Sequence, residues 1–247
     1  MIESPTRRTN RASRRRPRPR VSVLGVLGEL LLTAGVLVFL FLFWQLFWND
    51  WVVRGEQNDR GSQISREWDD QASDAGHDDP IIPEQPDDGE VFAQLRVPRF
   101  GEDYVSQIAG GVSKAVTLDP IGLGHYPDTQ MPGEDGNFAI AGHRNTHGAP
   151  LNKVAELQPG DAIVVETKDG WFTYRYRNTE YVQPSQVDVI AAVPGHPDED
   201  PVDSVITLTS CNPFMSTAER IISYGVLESW TPRADGPPAA LTDGVEG

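Results

Sequence analysis

Val205-Ile206-Thr207-Leu208-Thr209-Ser210-Cys211-Asn212-Pro213 contains the only cysteine in a chain of 247 residues. Val205 to Ser210 is a β-type run, and Asn-Pro is where a strand must stop. The thiol is thereby expected at the rim of a sheet, open to solvent. The competing reading is a buried cysteine acting as a small hydrophobe. Seven further short runs share the β-type character: 92–97, 115–116, 137–141, 162–167, 172–177, 187–191 and 221–227, with 204–209 completing the set. Asp169-Gly170 between two of them signals a hairpin. One helix is expected over 149–157, with Leu151, Val154 and Leu157 on one side, Pro150 in its first turn and Gly160 just beyond its end. About eight short strands with one or two short helices predict a mainly β fold, a closed or nearly closed barrel.

The chain before this domain is of a different kind. The first twenty residues carry eight arginines against one acid, Glu3. Residues 30–48 are nineteen positions without a charge, which as a helix span roughly 28 Å, the depth of a hydrocarbon core. Trp44, Trp48 and Trp51 gather at its far end as an interfacial belt. A cleaved signal peptide would need a shorter apolar run and small residues at the cut, so an uncleaved anchor over 21–51 is favoured. The arginines could form a nucleic-acid arm. Beside a membrane span they are better read as setting topology, with 1–20 cytoplasmic and everything after residue 50 outside. The net charge of −15 conceals this asymmetry: without residues 1–20 the chain holds 13 basic and 35 acidic residues. An outer portion that acidic is a poor binder of polyanions and should be soluble and monomeric. Residues 52–90, with twelve acids and three arginines, read as a disordered stalk. A single domain is expected over 91–231, and the Pro-, Gly- and Ala-rich 232–247 reads as a flexible tail.

An unpaired thiol outside the cell is an accident or a reagent. A reactive thiol needs a base or cation nearby, because the ordinary cysteine pKa of ~8.5 leaves little thiolate at neutral pH. His143 follows another strand-like run, Phe138-Ala-Ile-Ala-Gly142, and is a candidate base; the plain alternative is a structural histidine. His147 lies four residues on, but the zinc-helix pattern wants Glu directly after the first histidine, where Arg144 stands, so no metal or other cofactor is expected. Arg220, nine positions after Cys211, opens the last strand. As a planar permanent cation it could grip carbonyls and an oxyanion, or simply pair with Glu219 at the surface.

Ala141-Gly-His-Arg144, then Thr207-Leu-Thr-Ser-Cys211, then Arg220, in that order behind an N-terminal anchor, resemble the sortase family over roughly residues 91–231. The stretch His125-Tyr-Pro-Asp-Thr-Gln-Met-Pro-Gly-Glu-Asp-Gly-Asn137 is similar to the class E branch of actinobacteria. The resemblance implies an eight-stranded sortase-like barrel and a cysteine transpeptidase, with Cys211, His143 and Arg220 catalytic. It also implies substrate contacts at Tyr126, Thr209, Ser210 and Asn137. Its substrates would be secreted proteins bearing a Leu-Ala-x-Thr-Gly-like sorting signal, cut between Thr and Gly and passed to a cell-wall amine. Tyr126 matches the residue linked to alanine at the signal's second position, and Ser210 departs from the threonine of many members. L,D-transpeptidases are a rival class, but the Ser-x-Gly-Cys-x-Arg pattern is absent around Cys211. A non-catalytic anchored binding module that holds a metal through His143 and His147 is the other.

Overall fold

The computed structural model describes residues 22–44, 49–71 and 79–242. The arginine-rich residues 1–20 and the last five residues lie outside the described set. Helix α1, Val23–Phe43, is 21 residues with a mean hydropathy of 2.5, long and apolar enough to cross a membrane. It forms one compact unit, and the chain from Gln45 onward forms another.

The second unit is built on eight strands: β1 Val91–Arg96, β2 Ser106–Gly110, β3 Leu123–His125, β4 Gly136–Gly142, β5 Ala162–Thr167, β6 Gly170–Val182, β7 Ser204–Asn212 and β8 Glu219–Pro232. They close in the order β1-β2-β3-β4-β7-β8-β6-β5. The β2–β3 and β4–β7 pairs are parallel and the others antiparallel. Closure leaves no bare edge to recruit another chain. Leu95, Ile108, Phe138, Phe172, Ile206 and Leu208 fill the interior. Because side chains alternate along a strand, the interior positions of Ile206 and Leu208 turn Thr207, Thr209 and Cys211 outward. The connection from β6 to β7 folds over this outer face, where Val189 packs with Val182, Ile222 and Tyr224.

The expected barrel and the Asp169-Gly170 hairpin are present, but two of the eight expected strands are not. Residues 115–116 lie in a helical turn, Lys114–Leu118, and 187–191 contain a 3-10 turn, Asp188–Ile190. Their places are taken by β2 and β3. The helix expected over 149–157 shrinks to one 3-10 turn, Val154–Glu156. Ala149 holds φ at 46° and Leu151 N donates to His143 O at 3.1 Å, so backbone bonding is diverted away from a helix. Leu151, Val154 and Leu157 are buried in the core all the same.

The disordered stalk expected over 52–90 is corrected within the described residues, and 72–78 lie outside them. Asn49–Gln71 is a helix, α2, and it lies on the barrel through polar contacts. Arg54 Nε donates to Gly148 O at 3.1 Å, Gln57 Nε2 to His147 O at 3.3 Å, and Gln94 Nε2 to Gly61 O at 2.9 Å. A Cβ on Gly61 would stand 2.8 Å from Val105, so only glycine permits this approach. Residues 79–90 run extended, with Ile82 packed on the core and Asp88 bridged to Gly110. The expected flexible tail is docked as far as Thr242. Buried Arg233 pairs with Glu166 and with Asp69 of α2, and its guanidinium lies 4.5 Å from the Trp171 ring centroid. Burial pushes the Glu166 carboxyl up. The charge of Arg96 and hydrogen bonds from Arg233 and Arg96 outweigh it and hold the group below the usual range.

Candidate active site

Register brings the three expected catalytic residues to one end of the barrel. On the parallel pair β4–β7, Ala141 is matched with Thr209. Two residues further along each strand are His143 and Cys211, so they leave neighbouring strands side by side, with backbones roughly 5 Å apart. Ser210 Oγ donates to Gly142 O at 2.8 Å and fixes this level. On the other flank, antiparallel β8 places Arg220 directly opposite Cys211. Ile221 points into the core, so Arg220 shares the outer face with the thiol. Cys211, His143 and Arg220 are all half-buried, screened yet reachable.

Each is held by its own partners. His143 Nε2 lies 2.7 Å from Asp119 Oδ1. A carboxylate only accepts, so Nε2 carries a proton, and in the neutral ring Nδ1 is the nitrogen with the lone pair. The imidazole is stacked on His147 with centroids 4.9 Å apart. Its loop is tight: His147, Gly148 and Ala149 hold φ at 55°, 80° and 46°. A Cβ on Gly148 would stand 2.4 Å from Gln57 Oε1 of α2. Arg220 Nη1 donates to Thr217 O at 3.1 Å and to Glu219 O at 2.9 Å, which leaves its other nitrogens free to reach a ligand. The Glu219 carboxylate instead accepts from Asn212 Nδ2 at 2.9 Å. Arg144 Nη1 reaches Asn212 Oδ1 at 2.5 Å and Cys211 O at 3.3 Å. The histidine loop, the cysteine strand and β8 are thereby braced as one piece.

The remaining expected contacts divide. Tyr126 is half-buried, and its hydroxyl lies 3.2 Å from Thr209 Oγ1, so the phenol stands over the outer face of β7 two residues before the thiol. Thr209 is 5% exposed and also donates to Ile140 O at 3.2 Å. Ser210 is 4% exposed and spends its hydroxyl on Gly142. Asn137 is fully buried: its Nδ2 donates to Ala191 O at 3.0 Å and its Oδ1 accepts from Thr207 Oγ1 at 2.6 Å. Substrate contact at Asn137 is therefore corrected to a structural role, tying the β6–β7 connection to the sheet. Ser210 acts in the same way, setting the level of β4 against β7. A cleft of about 590 Å³ bordered by Glu180, His196, Asp200 and Tyr224 opens further along these strands and contains none of the three catalytic candidates.

Sequence reading missed Asp119 and the bracing role of Arg144. Arg144 had a local signal, its place next to His143. Asp119 had none, since it meets His143 across 24 residues.

The sortase domain profile matches residues 95–228. Sortase SrtE2 of Streptomyces coelicolor is 31% identical over 94% of this chain and 94% of its own length. Sortase SrtE1 of the same organism is 36% identical over 93% of this chain; the match spans 64% of that longer relative. The crystal structure of sortase E1 from Streptomyces coelicolor with a tripeptide in its active site is 39% identical, with a TM-score of 0.58 over 63% of this chain and 99% of that one. With a closed eight-stranded barrel that sets Cys211 between the end of β4 and Arg220, the chain belongs to the sortase family and resembles its class E members.

Proposed function

We propose that the chain is a membrane-anchored cysteine transpeptidase that cuts a Leu-Ala-x-Thr-Gly-like sorting signal between Thr and Gly. The observation that carries this reading is the register that puts His143 and Arg220 on either side of Cys211. His143 Nδ1 takes the Cys211 thiol proton, the sulfur attacks the threonine carbonyl and a tetrahedral oxyanion forms, with the free donors of Arg220 on the same face to receive it. Collapse breaks the Thr–Gly bond, leaves a thioester and gives the departing amine a proton from His143. An incoming cell-wall amine then loses a proton to His143 and attacks the thioester, and His143 returns that proton to the departing sulfur, restoring the thiol. Asp119 holds the ring so that Nδ1 exchanges these protons. Tyr126 and Thr209 line the approach along β7.

Helix α1 is the span in this reading, with the arginines of 1–20 in the cytoplasm and the barrel outside. The partners are secreted proteins bearing the signal and a peptide amine of the cell wall. The acidic outer portion works as a monomer and takes no nucleic acid. The test is mass spectrometry of the detergent-solubilised chain with a Leu-Ala-x-Thr-Gly peptide and an amine. A new amide at threonine with loss of the glycine side is expected. Cleavage at another bond, or a product that persists in Cys211→Ala, would refute the reading.

A further inference from the structure

The turn that carries His143 gathers a second set of donors. Asp119 Oδ1 lies 2.7 Å from His143 Nε2 and 3.7 Å from His147 Nδ1. One ligand atom from each of the three residues falls within 4.8 Å of the others. Tetrahedral zinc with bonds of about 2.0–2.2 Å holds its ligand atoms roughly 3.4 Å apart, between the two measured separations. The cluster joins two segments: Asp119 follows the turn Lys114–Leu118, and both histidines belong to the loop after β4. That loop is pinned from outside, by Gln57 on His147 O and by Arg54 on Gly148 O, so His147 is held beside its partners. Two imidazoles and one carboxylate suit a borderline ion such as Zn²⁺, whereas Mg²⁺ and Ca²⁺ want oxygens. The carboxylate of Asp119 and the ring of His147 are 37% and 44% exposed, which leaves room for a water as fourth ligand.

We propose that Asp119, His143 and His147 form a zinc-binding site through which the metal reversibly switches the enzyme off, an inference that rests on the transpeptidase reading for its consequence. The chemistry follows from the imidazole. In the neutral, metal-free ring Nε2–H donates a hydrogen bond to Asp119 and Nδ1 offers a lone pair. A zinc ion takes the Nε2 lone pair, so the ring proton moves to Nδ1 and Asp119 turns from hydrogen-bond acceptor to ligand. No proton is gained or lost. Nδ1 can then only donate, and His143 can no longer deprotonate the incoming amine. Cys211 takes no part in the site.

The test uses the full chain in detergent, with Co²⁺ as a visible probe and Zn²⁺ as competitor and inhibitor. Tetrahedral Co²⁺ absorption is expected in the wild type and equally in Cys211→Ala, without a sulfur-to-metal charge-transfer band, and Zn²⁺ should displace it. These readouts need no turnover, so they stand even if the transpeptidase reading fails. His147→Asn is the informative variant, because asparagine tolerates the left-handed backbone at that position. It should keep the wild-type melting temperature, and its zinc response is read as a ratio to its own metal-free transfer rate. Loss of a direct ligand should weaken both Co²⁺ affinity and Zn²⁺ inhibition by at least about tenfold, the lower end of what outer hydrogen-bond partners are worth to a site. EDTA should restore zinc-inhibited wild type. A Co²⁺ spectrum that vanishes in Cys211→Ala, or unchanged metal affinity and inhibition in His147→Asn, would overturn the proposal.

Discussion

His125 lies on β3 and His143 just past the end of its neighbour β4, and the two have opposite surroundings. His125, on β3, is fully buried. Its ring lies on Phe138 with centroids 5.0 Å apart and meets Phe92 edge-on. Nε2 lies 3.1 Å from Gln130 O and 3.1 Å from Thr129 Oγ1, and Nδ1 lies 3.3 Å from Gln85 Nε2. Burial pushes its pKa down to about 4, against the smaller opposing effects of Gln130 O and the charge of Glu134. It is a neutral, saturated core group. His143, just past β4, has one nitrogen committed to Asp119 and the other free at the barrel's end. The same side chain is structural where every donor and acceptor is already used. In the proposed reaction it is chemical, with one nitrogen left to exchange protons at the end of the barrel where Cys211 stands.

Exchanging the two roles by mutation is the sharpest way to break this comparison. His143→Ala should lower kcat/KM by about 10²–10⁴, the usual worth of a positioned proton-transfer group, while leaving the melting temperature near wild type. His125→Ala should do the reverse, melting earlier while the rate constant for thiol alkylation in the folded protein holds. Loss of activity without loss of stability in both variants would erase the distinction.

Arg220→Lys comes next, with a fall in kcat/KM of about 10²–10³, as for loss of an oxyanion donor. An ammonium retains the charge but not the planar fork. Wild-type turnover in this variant would remove Arg220 from the mechanism.

The buried histidine makes a prediction about pH. Between its ordinary value of 6.5 and its folded value of about 4, the unfolded chain binds a proton at this site that the folded chain refuses. Stability is then highest above 6.5 and falls as pH drops through that window, by about 3 kcal/mol in all. Glu166, held low by its arginines, begins to lose its contribution only as pH falls below its ordinary value of 4.5, at the foot of this window. Urea titrations between pH 7 and 4 should therefore show a slope that His125→Gln flattens. An equal slope in both proteins would mean that other groups carry the acid sensitivity.

The smallest effect concerns selectivity. Tyr126→Ala should narrow the preference for Leu-Ala-x-Thr-Gly over Leu-Pro-x-Thr-Gly peptides by about tenfold, the scale of a packing difference of a methylene or two. Comparing kcat/KM for both peptides in wild type and variant decides it, and an unchanged ratio would place the selectivity elsewhere.

What could be read from the chain divides along the same line as the histidines. Runs with local patterning were legible: β4, β5 and β7, the Asp169-Gly170 turn and the apolar α1. Cys211, His143 and Arg220 each stand at a strand end, and together they made a pattern that none makes alone. β3 was illegible because it is Leu-Gly-His, three residues with no alternation, and its Gly124 lets the carbonyl of Gly111 approach to 2.3 Å of where a Cβ would be. β2 is buried along its whole length, Ser106 and Gln107 included, so polar residues disguised it. Helix α2 was mistaken for a stalk because it attaches through Arg54, Gln57 and Ser65, whose hydroxyl accepts from Arg96 Nη2 at 2.8 Å. Polar contacts of that kind leave no 3.6-residue apolar period. Asp119 was invisible for a related reason: a long-range polar partner has no spacing rule.

The central claim is that Cys211 forms a covalent thioester with the threonine end of the sorting signal. The direct measurement is intact-mass analysis of the detergent-solubilised chain, quenched in acid seconds after mixing with a Leu-Ala-x-Thr-Gly peptide and no amine. The account predicts an adduct equal to the peptide up to threonine, located on Cys211, removed by hydroxylamine and absent from Cys211→Ala. Peptide cleavage with no adduct at Cys211, or an adduct that survives the alanine substitution, would contradict it.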